Sequence, residues 1–350
     1  MAGFDDIEGQ KGVVTHFKNA IKLNRISHAY ILNGEKGMGK KTIARAFSMT
    51  LMCERHGESP CMECHACKQI MTDNNPDVRW VTHEKPNVIS VDEVRRQINA
   101  DVQIKPYSSD YKIYIVDDAD KMNQPAQNAI LKTIEEPPPY VVILLLTVNK
   151  DMLLSTILSR CVSMELRPLR KQQVESYLVE KAGIVDYKAR EVSDFAGGNI
   201  GKAIRLASSD DFMELKESVA RVAKNIAKMT AADINAAIKE ISSYKENIEE
   251  YLELLFTWYR DVLIYKSCGE KGDNINQKII FADYIKFIRQ QSEACSYEAI
   301  ERIFTELDGI NEKLRVNVNF DMVIELLLLT VRDGLRGDVK PEMEILLARQ

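Results

Sequence analysis

The first half of the chain alternates short apolar runs with amphipathic stretches. His28 to Leu32 (H-A-Y-I-L) reads as a short strand, followed by a glycine-rich turn and a helix from about Lys40 to Met52. Lys112 to Val116 (K-I-Y-I-V) is β-branched and aromatic, reads as a strand and ends at Asp117. Val141 to Thr147 is almost wholly apolar, the pattern of a strand buried on both faces of a parallel sheet. Ser90 followed by Glu93 predicts a capping box opening a helix through about Val102. Asn123 with Pro125 predicts another helix start, and Pro137-Pro138-Pro139 its end. Strands alternating with helices predict a parallel α/β sheet with helices on both faces.

From about Pro168 the strand pattern disappears. Residues 168 to 208 read as short helices around the turn Gly197-Gly198-Asn199. Beyond about residue 210 the pattern is helical throughout. Ile248, Leu252, Leu255, Tyr259, Val262 and Leu263 recur at helical spacing, and Met322 to Val331 is a further apolar helix. The expected organisation is an α/β domain over 1–166, a small helical domain over 167–208 and an all-α domain over 209–350.

Composition narrows the class. With 45% hydrophobic and 28% charged residues, the chain can offset its ordering entropy and is globular rather than disordered. The longest clean apolar run, Val141 to Leu146, is far short of the roughly 20 residues that span a bilayer. The N-terminus lacks a basic start followed by an apolar core, so no signal peptide and a cytoplasmic location are expected. A net charge of −5 supplies no overall attraction for nucleic acid, so any DNA contact is expected from a local patch or an assembly.

Two motifs carry chemistry. Gly34 to Thr42 reads G-E-K-G-M-G-K-K-T between a predicted strand and a helix, the context of a phosphate loop. Gly34, Gly37 and Gly39 let backbone N–H groups turn inward, and Lys40 is placed to reach the outer phosphates. The position after that lysine needs a hydroxyl to hold Mg²⁺, and here it is Lys41. Thr42 comes one residue too late, about 100° further around the helix. Asp117 sits where a metal-supporting acid belongs. Asp118 sits where many ATPases place a glutamate, and is one methylene shorter. The alternative is that these acids only cap the strand end. Lys41 weighs against a magnesium-bound nucleotide; binding of ATP or ADP stays open.

The second motif is Cys53, Cys61, Cys64 and Cys67, spaced C-x7-C-x2-C-x2-C at about 53–70. In a reducing compartment such clustering reads as a metal site before disulfides. Four thiolates satisfy tetrahedral Zn²⁺ in a closed, structural site. The surrounding residues read as loop, so the metal is expected to fold the module. A nucleic-acid-reading finger is the rival role.

Taken in order, these residues resemble a family. Ile7-Glu8-Gly9-Gln10, Ser27-His28-Ala29-Tyr30, the phosphate loop, the four-cysteine insert, the run Asn128 to Pro138 (N-A-I-L-K-T-I-E-E-P-P) and Ser159-Arg160-Cys161 are similar to the bacterial DNA polymerase III clamp-loader subunits, which are AAA+ proteins. The resemblance runs along nearly the full length. It implies an AAA+ P-loop domain with a zinc insert, a small helical lid and an all-α collar for oligomerisation. By register with the family, Gly201 stands where its motors carry an arginine. With Lys41 and Asp118, that makes three departures in one active site, which resembles the family's largely inactive stator rather than its motor. No intrinsic ATPase is therefore expected.

The resemblance also implies that Arg160 projects into the ATP site of a neighbouring motor subunit. The implied partners are the gamma/tau and delta subunits in a pentameric ring, with the sliding clamp and primed DNA reached through the complex. Two rivals stand beside this reading: an active motor ATPase, and a zinc-dependent nucleic-acid-binding protein with a vestigial phosphate loop.

Overall fold

The computed structural model describes residues 3–85, 87–208, 212–268, 279–315 and 319–336. The chain divides into two compact units, Met1–Ala207 and Ser208–Gln350. The first is built on a five-stranded parallel sheet in the order β2-β3-β4-β1-β5. The strands are β1 (Ala29–Asn33), β2 (Val78–Val81), β3 (Lys112–Val116), β4 (Val141–Thr147) and β5 (Val162–Glu165). Every residue of β3 and β4 is buried. β1 pairs with β4 from Ala29–Ile143 to Asn33–Thr147, which brings the ends of both strands to one edge of the sheet.

Side chains of a strand alternate between faces, and two cores form accordingly. On one face Tyr30, Leu32, Ile113, Ile115 and Leu144 pack with Phe17, Phe47 and Ile70. These come from α1 (Lys11–Lys22), α2 (Lys40–Leu51) and α3 (His65–Met71). On the other face Ala29, Ile31, Tyr114, Val116, Ile143 and Leu145 pack with Val94, Ile130 and Ile157. These come from α4 (Val91–Val94), α5 (Gln124–Glu135) and α6 (Ser155–Leu158). The Ser90–Glu93 capping box is present. The helix it opens differs from expectation: after Val94 it widens into a π-turn over Arg95–Asn99 and stops there rather than at Val102.

β3 opens with a buried lysine. Lys112 Nζ lies 2.7 Å from Asp101 Oδ2, and the Tyr114 hydroxyl donates to the same carboxylate at 2.8 Å. A buried charge needs such partners. The rest of this unit is helical: α7 (Lys171–Glu180), α8 (Asp186–Ala196) and α9 (Ile200–Ser208).

In the second unit the described residues form helices α10 (Phe212–Asn225), α11 (Ala231–Ser242), α12 (Ile248–Cys268), α13 (Ile285–Ala294), α14 (Tyr297–Arg315) and α15 (Phe320–Arg336). The part of the expected helical stretch at 269–278 and 337–350 lies outside the described residues. The core of this unit holds polar staples. Trp258 Nε1 donates to Gln291 Oε1 at 2.8 Å, and Gln291 Nε2 donates to the Ala223 carbonyl at 2.6 Å. Asp261 is fully buried, pairs with Arg260 and accepts from the N–H groups of Ile280 and Phe281. Burial raises the pKa of Asp261 above the usual carboxylate range despite these partners.

Candidate functional site

The phosphate loop joins β1 to α2. Gly37 and Gly39 take left-handed backbone angles, φ +95° and +92°, where a side chain would be strained. Lys40 is buried and donates to the carbonyls of Gly34 and Glu35. Burial lowers its pKa, and the facing Asp117, Asp118 and Asp120 act in the opposite sense. The glycine turn thus points its lysine as a phosphate loop does.

The metal-supporting half of the site is filled by the chain itself. Lys41 Nζ lies 2.6 Å from Asp117 Oδ2. A divalent cation at Asp117 would meet an ammonium instead of a hydroxyl, so these residues do not fit Mg²⁺. Thr42 is exposed on the next position of α2. Asp118 has a left-handed backbone, φ +50°, and its carboxylate lies 2.7 Å from Lys121 Nζ. Burial opposes its ionisation, but the hydrogen bond and charge of Lys121, with Lys41 and His83 nearby, hold its pKa below the usual range. Asp120 accepts from the Thr147 hydroxyl at 2.8 Å and the Val148 N–H at 3.0 Å. Each acid of the Asp117-Asp118-Ala119-Asp120 turn is therefore engaged within the protein.

The start of α9 closes onto the loop. The Gly201 N–H donates to the Gly37 carbonyl at 3.0 Å, and Asn199 Nδ2 donates to the Lys36 carbonyl at 2.8 Å. A Cβ on Gly201 would lie 2.6 Å from the Gly37 oxygen and 2.7 Å from its Cα. A Cβ on Gly37 would lie 2.6 Å from Asn199 Oδ1. Two glycines facing each other thus allow backbone to meet backbone. Sequence reasoning read Gly201 as a missing arginine; the structure gives it a positive role as a contact point. Asn199 was missed, because a turn asparagine after two glycines has an ordinary local explanation. Gly201→Ala is expected to destabilise the first unit by about 1–3 kcal/mol through overpacking against immobile backbone. Denaturant unfolding checks this as a lower midpoint at unchanged slope.

The cysteine module begins where α2 ends. Cys53, Cys61, Cys64 and Cys67 bring their Sγ atoms within 4.8 Å of one another. A tetrahedral ion with Zn–S bonds of about 2.3 Å requires sulfurs about 3.8 Å apart, a small contraction of this cluster. Backbone N–H groups of Cys61, Cys64 and Cys67 point at Cys53, Cys61 and Cys64 sulfur, respectively, at 3.3–3.4 Å. Bonds from the Glu63 and Cys64 backbones pull the Cys61 thiol down to about 6, whereas burial pushes Cys67 up. The cluster can hold a metal ion. His65 is exposed and is not part of the group. The module is also more ordered than the loop expected: Cys64 caps α3, and Cys53 and Cys67 are buried in the core beside α2.

Arg160 follows α6 directly. Its Nη2 lies 3.0 Å from Glu135 Oε1, and its side chain remains 40% exposed. Its bonds go to the Thr156 carbonyl, the Ser159 hydroxyl and Glu135, which all lie outside the phosphate loop.

Comparison with known proteins places this arrangement. Residues 9–170 match the family described as "DNA polymerase III, delta subunit". The chain is 28% identical over 331 residues to the DNA polymerase III subunit delta' of Bacillus subtilis, covering 93% of this chain and 97% of that one. The chain is similar to the delta' and tau/gamma subunits of DNA polymerase III. It is also 27% identical to the tau subunit of Bacillus subtilis, covering 85% of this chain but 56% of that protein. A gamma subunit-related DNA polymerase III protein of Thermotoga maritima, known as a solved structure, shares 21% identity over 92% of this chain and 99% of that chain, with a TM-score of 0.46. The chain thus spans nearly the whole of a delta' relative and about half of a tau relative. These relatives are named as subunits of DNA polymerase III. Among the described residues no helix is long and apolar enough to cross a membrane.

Proposed function

We propose that this chain acts as a delta-prime-like stator of the clamp loader. In this reading it helps a ring of gamma/tau and delta subunits place a sliding clamp on primed DNA, without turning over ATP itself. The observation that carries it is the Lys41–Asp117 ion pair at 2.6 Å, which sets an ammonium where a motor subunit needs a magnesium ion. The bond from the Gly201 N–H to the Gly37 carbonyl supports it, since a glycine stands here where, by register with the family, a motor carries an arginine.

Each residue then has a role. Lys40 organises the loop through the Gly34 and Glu35 carbonyls. Lys41 neutralises Asp117, and Lys121 neutralises Asp118. Arg160 serves the neighbouring subunit: a planar guanidinium can stabilise charge on a transferring phosphoryl group. Zn²⁺ on Cys53, Cys61, Cys64 and Cys67 fixes the module at the end of α2 and takes no part in chemistry. The helical second unit serves as the collar that joins the ring, and the protein works in the cytoplasm.

The test is ATP turnover by the isolated chain with Mg²⁺, beside Lys40→Ala. No turnover above background, and no change on substitution, is the expected result. Turnover abolished by Lys40→Ala would make this chain a motor. Salt-sensitive affinity of the isolated chain for DNA would favour a zinc-dependent nucleic-acid-binding protein.

A further inference from the structure

Arg160 is held from two directions. Its Nη1 donates to the Thr156 carbonyl at 3.1 Å and the Ser159 hydroxyl at 3.3 Å, both at the end of α6. Its Nη2 pairs with Glu135, the last residue of α5, at 3.0 Å. A guanidinium gripped on both terminal nitrogens loses the freedom its long stem would otherwise allow.

Glu135 is badly placed for its own helix. The C-terminus of a helix carries partial negative charge, and a carboxylate there is unfavourable. The side chain is 46% exposed, so it fills no core. An exposed pair of this kind adds little to stability. What the pair does is fix the direction of Arg160.

The two helices are already registered at their other ends. Gln127 of α5 is buried; its Nε2 donates to the Met122 carbonyl at 3.0 Å and the Met152 carbonyl at 3.1 Å. Its Oε1 accepts from the Leu154 N–H at 2.7 Å. Gln127 thus ties the start of α5 to the segment entering α6. Glu135 lies eight residues on, about 12 Å along the helix axis. It reaches the chain where α6 ends.

We infer that Glu135 is a positioning residue for Arg160: it pre-orients the guanidinium that this subunit presents to its neighbour's ATP site. The inference rests on the trans role given to Arg160 above. Glu135 touches no substrate and acts only through the arginine. A group that arrives pre-oriented forgoes the ordering cost of a mobile side chain, and small misplacements of a reacting group are expensive in rate.

The test is single-turnover ATP hydrolysis by the reconstituted assembly with clamp and primed DNA. The phase lost on Arg160→Ala reports the site beside this subunit. Glu135→Gln is expected to slow that phase about threefold to tenfold at saturating ATP, with the KM for ATP unchanged. Glu135→Asp keeps the charge and is expected to recover part of the rate. In an Arg160→Ala background, Glu135→Gln should change nothing more. If Arg160→Ala loses no phase, the trans role fails and this inference falls with it. If Arg160→Ala loses the phase but Glu135→Gln leaves it at the wild-type rate, the trans role stands and the positioning role is wrong. A further loss from Glu135→Gln on top of Arg160→Ala would also overturn it, because Glu135 would then act by another route.

Discussion

On the trans role proposed for Arg160, Arg160→Ala is expected to slow ATP hydrolysis at the neighbouring site by about 10³-fold or more while leaving assembly intact. The magnitude follows from what an arginine in trans supplies to phosphoryl transfer in other nucleotide hydrolases, about 10³–10⁵ in rate. The loss is confined to one interface. In the proposed ring, other sites would be completed by other subunits, so steady-state turnover is expected to fall far less than the chemical step. Quench-flow separates the two: the hydrolysis burst loses one site's share of its amplitude. Arg160→Lys is expected to rescue little, because a point-like ammonium lacks the planar fork. The substitution is safe for the fold. Arg160 is 40% exposed and its bonds lie at the end of a four-residue helix, so size-exclusion profiles of the complex should not change. A full burst from an intact Arg160→Ala complex would remove the trans assignment.

Metal removal is the second large effect. The four sulfurs lie within 4.8 Å of one another, and Cys53 and Cys67 belong to the same core as Phe47, Met49 and Ile70. Binding energies of structural zinc in small domains are roughly 10–16 kcal/mol, comparable with the whole stability of a typical domain, about 5–15 kcal/mol. The module therefore cannot fail quietly, since its buried half supports the end of α2. Elemental analysis of the purified chain is expected to return one zinc per molecule. Stripping it with a chelator under mildly destabilising conditions, or replacing Cys67 by serine, should lower the melting temperature of the first unit by about 10 °C or more. Cys61, half-exposed, is expected to be the milder single substitution. A metal-free preparation that melts at the same temperature would leave the cysteines without a metal role.

Legibility in the sequence tracks how much of an element's environment is uniform. β3 and β4 are buried at every position, and their apolar runs are plain in the sequence. β2 (V-R-W-V) and β5 (V-S-M-E) are the two edges of the sheet, mix buried with exposed positions and give too short a pattern to stand out. α3 is hidden because Cys64 caps it and Cys67 lies in its first turn, and both read as metal ligands. The π-turn at Arg95–Asn99 has no signature that separates it from an ordinary helix end.

The candidate site divides in the same way. Glycine and cysteine spacings were legible because their chemistry demands a fixed local order. The departures at Lys41 and Asp118 were legible for the same reason. What those departures do instead was not. The Lys41–Asp117 and Arg160–Glu135 pairs join residues 76 and 25 positions apart in sequence numbering, and no local pattern announces such pairs. Gly201 shows the limit best. In sequence it is an absent side chain, whereas in space it is the room that lets two backbones touch.

The contact between Gly201 and Gly37 has a consequence for how such a subunit responds to the cell's energy state. The Gly201 N–H bonded to the Gly37 carbonyl joins the two segments through the chain's own backbone. If the chain is the proposed stator, the angle of that joint would change little as the ATP:ADP ratio moves, whereas lids that close on nucleotide would follow it. Such a member would give the other subunits a fixed datum against which each hydrolysis event becomes a displacement.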